Sequence, residues 1–256
     1  MALLIGGVPR SGTSILQRIC NGHPDISVTM ETRIFSFPPR SFLVHAKNVA
    51  GNVTHRNWNA LRAGDFKRTA RMYSFMVHYL TTLAAKRNFG EIDFVSKVEA
   101  LHAMFPDANI VGDKYPGYVF ELEKFVNQKG LNCLIIYRDG RDVVSSTLLR
   151  SMKWKGTFVL KNMGSVENII DRWTFGIEKM QENVDRIFTV RYEDLVTNPR
   201  KVMEGIGGWL GVDADKFPVQ SIQSQSIGKH RDHLTKSQLR IIYERASETL
   251  IRLNYE

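Results

Sequence analysis

The sequence predicts an α/β fold, a single domain over residues 1–256 with a central parallel sheet flanked by helices. Three observations predict it. Short apolar runs alternate with stretches of helical periodicity from one end of the chain to the other. The run Leu131 to Tyr137 is unbroken and apolar, as expected of a strand covered on both faces. The chain has 256 residues, 43% of them hydrophobic, which suits one sizeable core, and no repeat, low-complexity tract or linker divides it.

Residues 3–8 read as a buried strand and 13–21 as the helix that follows, stopped by Asn21-Gly22-His23-Pro24. His23 reads as a turn residue there. Residues 26–29 suit a second short strand. The stretch 34–64, with Pro38-Pro39 and a polar Asn/His/Arg/Trp mixture, reads as loops and short helices over the site. Residues 65–88 place Phe66, Met72, Phe75, Met76, Tyr79, Leu80 and Leu83 at helical spacing, and 96–105 adds another helix. Asn109-Ile110-Val111-Gly112 is a strand that delivers Asp113-Lys114, with a helix over 117–128 beyond it. The strand 131–137 ends at Arg138-Asp139-Gly140-Arg141-Asp142 and leads into a helix to Arg150. A loop at 151–164, a helix at 165–183, a strand at 186–191, a helix from Pro199 to Leu210, a polar segment at 219–233 and a last helix at 236–252 complete the chain.

Composition narrows the function classes. The net charge is +9 and the isoelectric point about 9.6, which suits a polyanionic cofactor or acidic substrate as well as a plain solvated surface. The basic residues are scattered, and no nucleic-acid-binding signature accompanies them, so no nucleic acid partner is expected. Cys20 and Cys133 stand far apart, one in an apolar helix and one in an apolar strand, and read as core residues. No metal-ligand spacing is present, and no metal is expected. No signal peptide and no run long enough for a membrane span is visible, so the expected location is cytoplasmic. A homodimer is compatible with this composition.

The first thirty residues carry the chemistry. Leu3-Leu4-Ile5 runs into Gly6-Gly7-Val8-Pro9-Arg10-Ser11-Gly12-Thr13-Ser14, a turn that opens a helix. Such a turn aims backbone N–H groups and the positive end of a helix dipole at one spot, which wants an anion. The motif is P-loop-like: Gly7 and Gly12 hold the spacing of G-x-x-x-x-G-K-[ST], but Thr13 stands where the lysine belongs and Arg10 sits inside the loop. Ligands of α/β sheets sit at the carboxyl ends of strands. Four predicted strands end there at Arg10, at Asp113-Lys114, at Arg138 and at Arg191-Tyr192. Ser146 and Arg150, four residues apart, share a helix face that Arg138 can also reach. Several cations with two sets of hydroxyls suit a doubly phosphorylated nucleotide.

At this point the chain resembles the sulfotransferases that use 3′-phosphoadenosine 5′-phosphosulfate (PAPS). Pro9-Arg10-Ser11-Gly12-Thr13-Ser14 resembles their 5′-phosphosulfate loop. Tyr137 to Ser146 resembles their 3′-phosphate segment, in which the first Arg and the last Ser grip the phosphate. Val190 to Leu195 with Asn198-Pro199 also matches. The opening, with Gly6 to Thr13, His23-Pro24 and Glu31-Thr32-Arg33, is most similar to that of the tyrosylprotein sulfotransferases. The resemblance implies that Glu31 is the general base, that Lys114 and Arg10 attend the transferring sulfuryl group, and that Arg33 helps bind the acceptor. It also implies contacts to the nucleotide from Arg10, Ser11, Gly12, Thr13, Ser14, Arg138, Ser146, Arg150 and Tyr192. PAPS would be the sulfuryl donor and PAP (3′,5′-adenosine bisphosphate) the product, without a metal. Ser226 to Arg231 resembles the compact bacterial sulfotransferases, which brings Lys229 and Arg231 to the cofactor. Residues 34–64 and 151–164 do not carry the likeness, so the machinery is carried over and not the peptide acceptor.

Plainer readings stand beside these. Glu31 also suits a surface pair with Arg33, Lys114 an exposed turn, Tyr192 the core, and 226–231 a solvated loop. Asp139 and Asp142 suit the helix N-terminus or pairing with the neighbouring arginines better than catalysis. Two rival functions remain at this level, a P-loop nucleotide kinase and a non-catalytic nucleotide-binding adaptor of the same fold. The kinase wants a metal site and the missing lysine; a decayed adaptor would have lost Glu31 or Lys114.

Overall fold

Five parallel strands in the order β2-β5-β1-β6-β7 form the centre of the structure, a computed structural model that describes residues 1–62, 64–87, 89–153, 164–222 and 226–255. They are β1 (Ala2–Gly6), β2 (Ile26–Met30), β5 (Ile110–Lys114), β6 (Leu131–Tyr137) and β7 (Phe188–Arg191). The parallel sheet expected from the sequence is therefore present. A separate two-stranded antiparallel ladder joins β3 (Arg40–Ser41) to β4 (Glu91–Ile92) and was not anticipated.

The period of two along each central strand sends alternate residues to two cores. Ala2 and Leu4 of β1, with Cys133 and Ile135 of β6, enter one core; Leu3, Ile5, Leu134 and Ile136 enter the other. The second core is covered by α1 (Thr13–Cys20), α7 (Tyr192–Thr197) and α8 (Pro199–Leu210), the first by α2 (Phe42–Arg62), α3 (Phe66–Arg87), α4 (Phe94–Met104), α5 (Gly140–Lys153), α6 (Val166–Gln181) and α10 (Lys236–Arg252). A further short helix, α9, spans His230–His233. The helix starts follow local chemistry: Asp93 accepts from the Ser96 N–H, Ser165 from the Asn168 N–H, and Thr235 with Gln238 forms a capping box. Burial pushes both cysteine thiols up to about 12, as core residues should behave. No helix among the described residues is long and apolar enough to cross a membrane.

Two expectations need correction. Residues 42–62 form one long helix rather than loops and short helices. Its buried side is Phe42, His45, Val49 and Val53, and the polar mixture that masked this stripe is its outer face. The segment after β5 is a 3-10 helix over Pro116–Lys124, interrupted at Glu121, rather than an α-helix over 117–128. The expected loop at 151–164 yields its first three residues to α5, and Trp154 with the rest up to 163 lies outside the described residues.

Strands β2 and β5 lie on one side of β1, and β6 and β7 on the other. The carboxyl end of β1 therefore opens at the point where the chain order reverses, where α/β sheets bind ligands. Close approach of β1 and β5 depends on Gly112, because a side chain there would collide with the Leu3 carbonyl. We expect Gly112→Ala to lower stability by about 1–3 kcal/mol, as overpacking in a core does. Gly208→Ala, on α8 with open space around it, should raise stability by about 0.5–1 kcal/mol. Urea unfolding midpoints measure both.

Candidate active site

The loop between β1 and α1 is built around two glycines. Gly12, at φ 100°, caps α1, and a side chain there would strike the Tyr192 ring; one at Gly7, at φ 152°, would strike the Ile136 carbonyl. Between them Ser11 is wholly buried with its hydroxyl unpaired, and Thr13 is buried at the first turn of the helix. Arg10 takes a left-handed backbone conformation, φ 78°.

One cluster forms where this loop meets α5. The Arg10 Nε donates to the Ser146 hydroxyl at 3.0 Å, and Arg138 donates to the Arg10 carbonyl at 3.3 Å. Arg10, Arg138, Ser145, Ser146, Arg150, Ser226 and Lys229 line one cavity of about 260 Å³. Burial, then the Arg150 and Arg138 charges, lower the Arg10 pKa, and Asp142, paired with Arg138 at 3.1 Å, is the carboxylate among the described residues that line the cavity. The Arg138 Nε and the Ser145 hydroxyl are buried without partners among the described residues. Tyr192 is buried beneath, its ring 4.5 Å from the Arg138 guanidinium carbon, so it belongs both to the core and to the floor of the site. Arg231 lies exposed on α9 and does not line the cavity.

The second cluster joins β2, β5 and α1. Lys114, wholly buried at the end of β5, donates from Nζ to Glu31 Oε1 at 2.9 Å and to the Ser14 hydroxyl at 3.3 Å. Its carbonyl accepts from the Glu31 N–H at 2.5 Å. Glu31 and Arg33 are both left-handed, φ 60° and 58°. Such conformations cost about 1–3 kcal/mol each and persist only where the surroundings enforce them. Here the enforcement is Asp113. This wholly buried carboxylate accepts from the Thr29 hydroxyl at 2.7 Å, the Thr32 N–H at 3.2 Å, the Arg33 N–H at 2.8 Å and the Tyr118 hydroxyl at 2.6 Å. Asn52 of α2 donates to the Glu31 and Thr32 carbonyls at 3.1 and 3.0 Å. The Arg33 guanidinium lies 4.7 Å over the Tyr115 ring and 3.7 Å from Glu121. The loop spans both clusters, with Arg10 in one and Ser14 in the other.

Neighbouring residues fix the Arg138 turn. The Trp173 indole donates to the Arg138 carbonyl at 2.9 Å, and Glu193 accepts from the Asp139 N–H at 3.2 Å. Asp139 pairs with Arg141 at 2.7 Å, the structural role expected of it. Asp142 meets Arg138, the Gly228 and His230 N–H groups and the His230 ring. Burial alone would raise its pKa, but the His230 hydrogen bonds, Arg138 and Gly228 outweigh burial and hold it at about 2. The segment 226–230 is thereby tied to α5, with the Ser226 carbonyl accepting from Arg138. Asp113, Asn52, Trp173 and Glu193 were not singled out from the sequence. Asp113 carried a signal as a charged residue at the end of an apolar strand, and Glu193 lay within the segment Val190 to Leu195 that carries the resemblance. His23, the expected turn residue, is a buried one, its Nε2 lying 2.9 Å from the Asp213 carbonyl oxygen.

Comparison with known proteins is consistent across sequence and structure. Residues 2–112 and 132–216 match the family model described as Sulfotransferase family. The protein-tyrosine sulfotransferase of Drosophila melanogaster is 28% identical over 215 residues, which cover 82% of this chain and 38% of the fly protein. The chain spans about half the length of the other curated relatives it matches, and less of the fly protein. The sulfotransferase domain from the curacin biosynthetic pathway superposes with a TM-score of 0.60 at 14% identity, covering 99% of this chain and 97% of that one. Mouse sulfotransferase SULT7A1 complexed with PAP superposes with a TM-score of 0.50 at 13% identity, covering 97% and 84%. These two structural likenesses establish the fold.

Two outcomes follow from the buried carboxylates. Asp113→Asn places an amide among four donors and should lower stability by about 3 kcal/mol, the order expected when buried donors lose a charged acceptor; chemical unfolding reads it. The folded Asp142 carboxyl lies below its ordinary 3.8, so its stabilising effect is complete above that value and is lost as pH falls towards about 2. The stability gap between wild type and Asp142→Asn should be widest near neutral pH and close in acid.

Proposed function

This chain belongs to the sulfotransferase family, and from that premise we propose that it transfers the sulfuryl group of PAPS to a hydroxyl acceptor, residues 1–256 acting as one sulfotransferase domain. One observation carries the reading. A single loop joins a cavity of crowded cations, Arg10, Arg138, Arg150 and Lys229, to the pair of buried Lys114 and half-buried Glu31.

The residues present fit a bisphosphorylated nucleotide. Three buried polar atoms, the Ser11 and Ser145 hydroxyls and the Arg138 Nε, have no partner among the described residues, and the cations would gain from an anion among them. In this reading Arg138, Ser146, Arg150 and Lys229 hold the 3′-phosphate. The N–H groups of residues 11–14 face the 5′ end, where the start of α1 also favours negative charge, and Arg10, on Ser146, stands between the two ends. Arg231, outside the cavity, would have to move to join them.

PAPS supplies the sulfuryl group and a phosphate leaving group. The rest falls to this chain. Glu31 accepts the proton of the acceptor hydroxyl, its carboxylate oriented by Lys114, its backbone held by the Lys114 carbonyl and Asn52, and the next two N–H groups held by Asp113. Lys114 is a fixed positive charge where negative charge develops, and a fixed charge needs no reorganisation during the reaction; Arg10, held on Ser146, would turn from there to add a second. With Arg10 and Lys114 in these places the transfer is read as metal-free. Arg33 stands beside Tyr115 on the acceptor side. The curated relatives are named protein-tyrosine sulfotransferases, which favours a tyrosine hydroxyl in a peptide as the acceptor.

Two measurements test the proposal. Calorimetry should show PAP binding at least about tenfold tighter than AMP, or about 1.4 kcal/mol. Equal affinity would remove the 3′-phosphate assignment. With PAPS and a tyrosine peptide, Glu31→Gln should cut turnover by about 10²–10⁴, the usual weight of a general base, and leave PAP affinity unchanged. Full turnover would place the base elsewhere.

A further inference from the structure

A second cavity, of about 320 Å³, lies away from the cleft. It sits between the turn that follows Arg33, the start of α4 and the end of the 3-10 segment. Its floor includes Leu131, the first residue of β6, whereas the cation cleft lies beyond Tyr137 at the other end of that strand. Six strand steps of about 3.3 Å separate the two ends, roughly 20 Å. Nothing in the proposed sulfuryl transfer uses this cavity.

Its walls have a definite chemistry. Phe35, Phe37, Phe94 and Phe125 supply aromatic faces, and Lys97 and Lys124 are its charged lining residues, with no carboxylate lining it among the described residues. Lys97 is only 2% exposed. Its Nζ donates to the Phe37 carbonyl at 2.5 Å, which engages one of three ammonium hydrogens. Asp93, the carboxylate whose charge acts on it, is engaged in capping α4 through the Ser96 N–H at 2.8 Å and hydroxyl at 2.5 Å. Burial lowers the Lys97 pKa to about 8, so the amine is still mainly charged at neutral pH. His45, behind Lys97, is lowered to about 4 by burial and by that charge, and is a neutral neighbour. The Ser36 hydroxyl, on the same wall, is buried without a partner. A cation buried among phenylalanines is costly unless an anion meets it.

We infer that this cavity is a binding site for a small organic anion with an apolar body, an aryl or short acyl carboxylate, with the Lys97 ammonium as its counter-ion and the phenylalanine faces around its body. The volume is at the lower end of ligand-sized cavities, roughly 300–1,000 Å³, which selects a small molecule. The Ser36 hydroxyl adds a donor to the carboxylate. Lys124, exposed and paired with Glu121 at 2.7 Å, marks the rim. The site is independent of the nucleotide, so both are occupied together.

The test is calorimetric titration of the full chain with 4-phenylbutyrate and with its neutral analogue 4-phenylbutan-1-ol, with and without saturating PAP. The carboxylate should bind at least about tenfold tighter than the alcohol. Lys97→Met should abolish that preference, and PAP should leave it unchanged. Absence of carboxylate binding, equal binding of the two, or a preference that survives Lys97→Met overturns the site. Competition by PAP overturns it too, by placing the carboxylate on the arginine cluster. Because Lys97→Met alters a buried group, Gln128→Trp serves as the second variant. Gln128 is half-buried at the cavity wall, and the indole should block both ligands while the melting temperature stays near that of the wild type. Undiminished binding to Gln128→Trp would equally rule the site out.

Discussion

A wholly buried lysine ammonium is the constraint around which the site is arranged. Removing a charge from water costs several kcal/mol, and the cost is offset only by a partner in good geometry with further hydrogen bonds. Lys114 meets that demand with the Glu31 carboxylate and the Ser14 hydroxyl. Glu31 can stand there only because residues 30–33 double back through two left-handed conformations. That turn is held in turn by Asp113, the residue before Lys114 on the same strand. The alternation of a β-strand sends Asp113 and Lys114 to opposite faces, so one strand end both supports the turn and receives the side chain it presents.

The cation cleft follows a complementary logic. Burial and the charges of Arg150 and Arg138 disfavour the charge of Arg10, and the fold fastens the backbone at Arg138. Trp173 holds the Arg138 carbonyl, and Glu193 holds the next N–H. Glu193 is itself held by the Tyr255 hydroxyl at 2.8 Å, which extends the support to the last described residue of the chain. The repulsion is thus retained in the folded protein and is available to bind an anion. Asp142 offsets part of it, and in doing so brings 226–230 over the cleft.

The elements with strong local signals were legible in the sequence. The unbroken apolar run of β6, the Gly7 and Gly12 spacing, the Pro199 start of α8 and the helical spacing of 65–88 each rest on the chemistry of a few adjacent residues. Residues 42–62 were misread because their buried stripe is interrupted by His45, a polar residue that becomes core only through the Tyr79 hydroxyl 3.1 Å away. The 3-10 segment after β5 was misread because its interruption at Glu121 has no local marker in the sequence.

At the site the division is sharper. The amino-acid sequence by itself determined the sheet, the loop with an arginine inside it, and the candidate residues at the strand ends, because strand period, turn chemistry and helix spacing act over a few residues. The tertiary structure alone decided which of those residues meet. It set Arg10 on Ser146, Lys114 on Glu31 and Ser14, and Tyr192 beneath Arg138, and it left Arg231 outside. It also recruited Asp113, Asn52 and Trp173, whose roles depend on partners 20 to 84 residues away along the chain. Those contacts arise from strand order and helix docking, which bring distant residues together to bury apolar surface, and no local pattern records which distant residue will arrive.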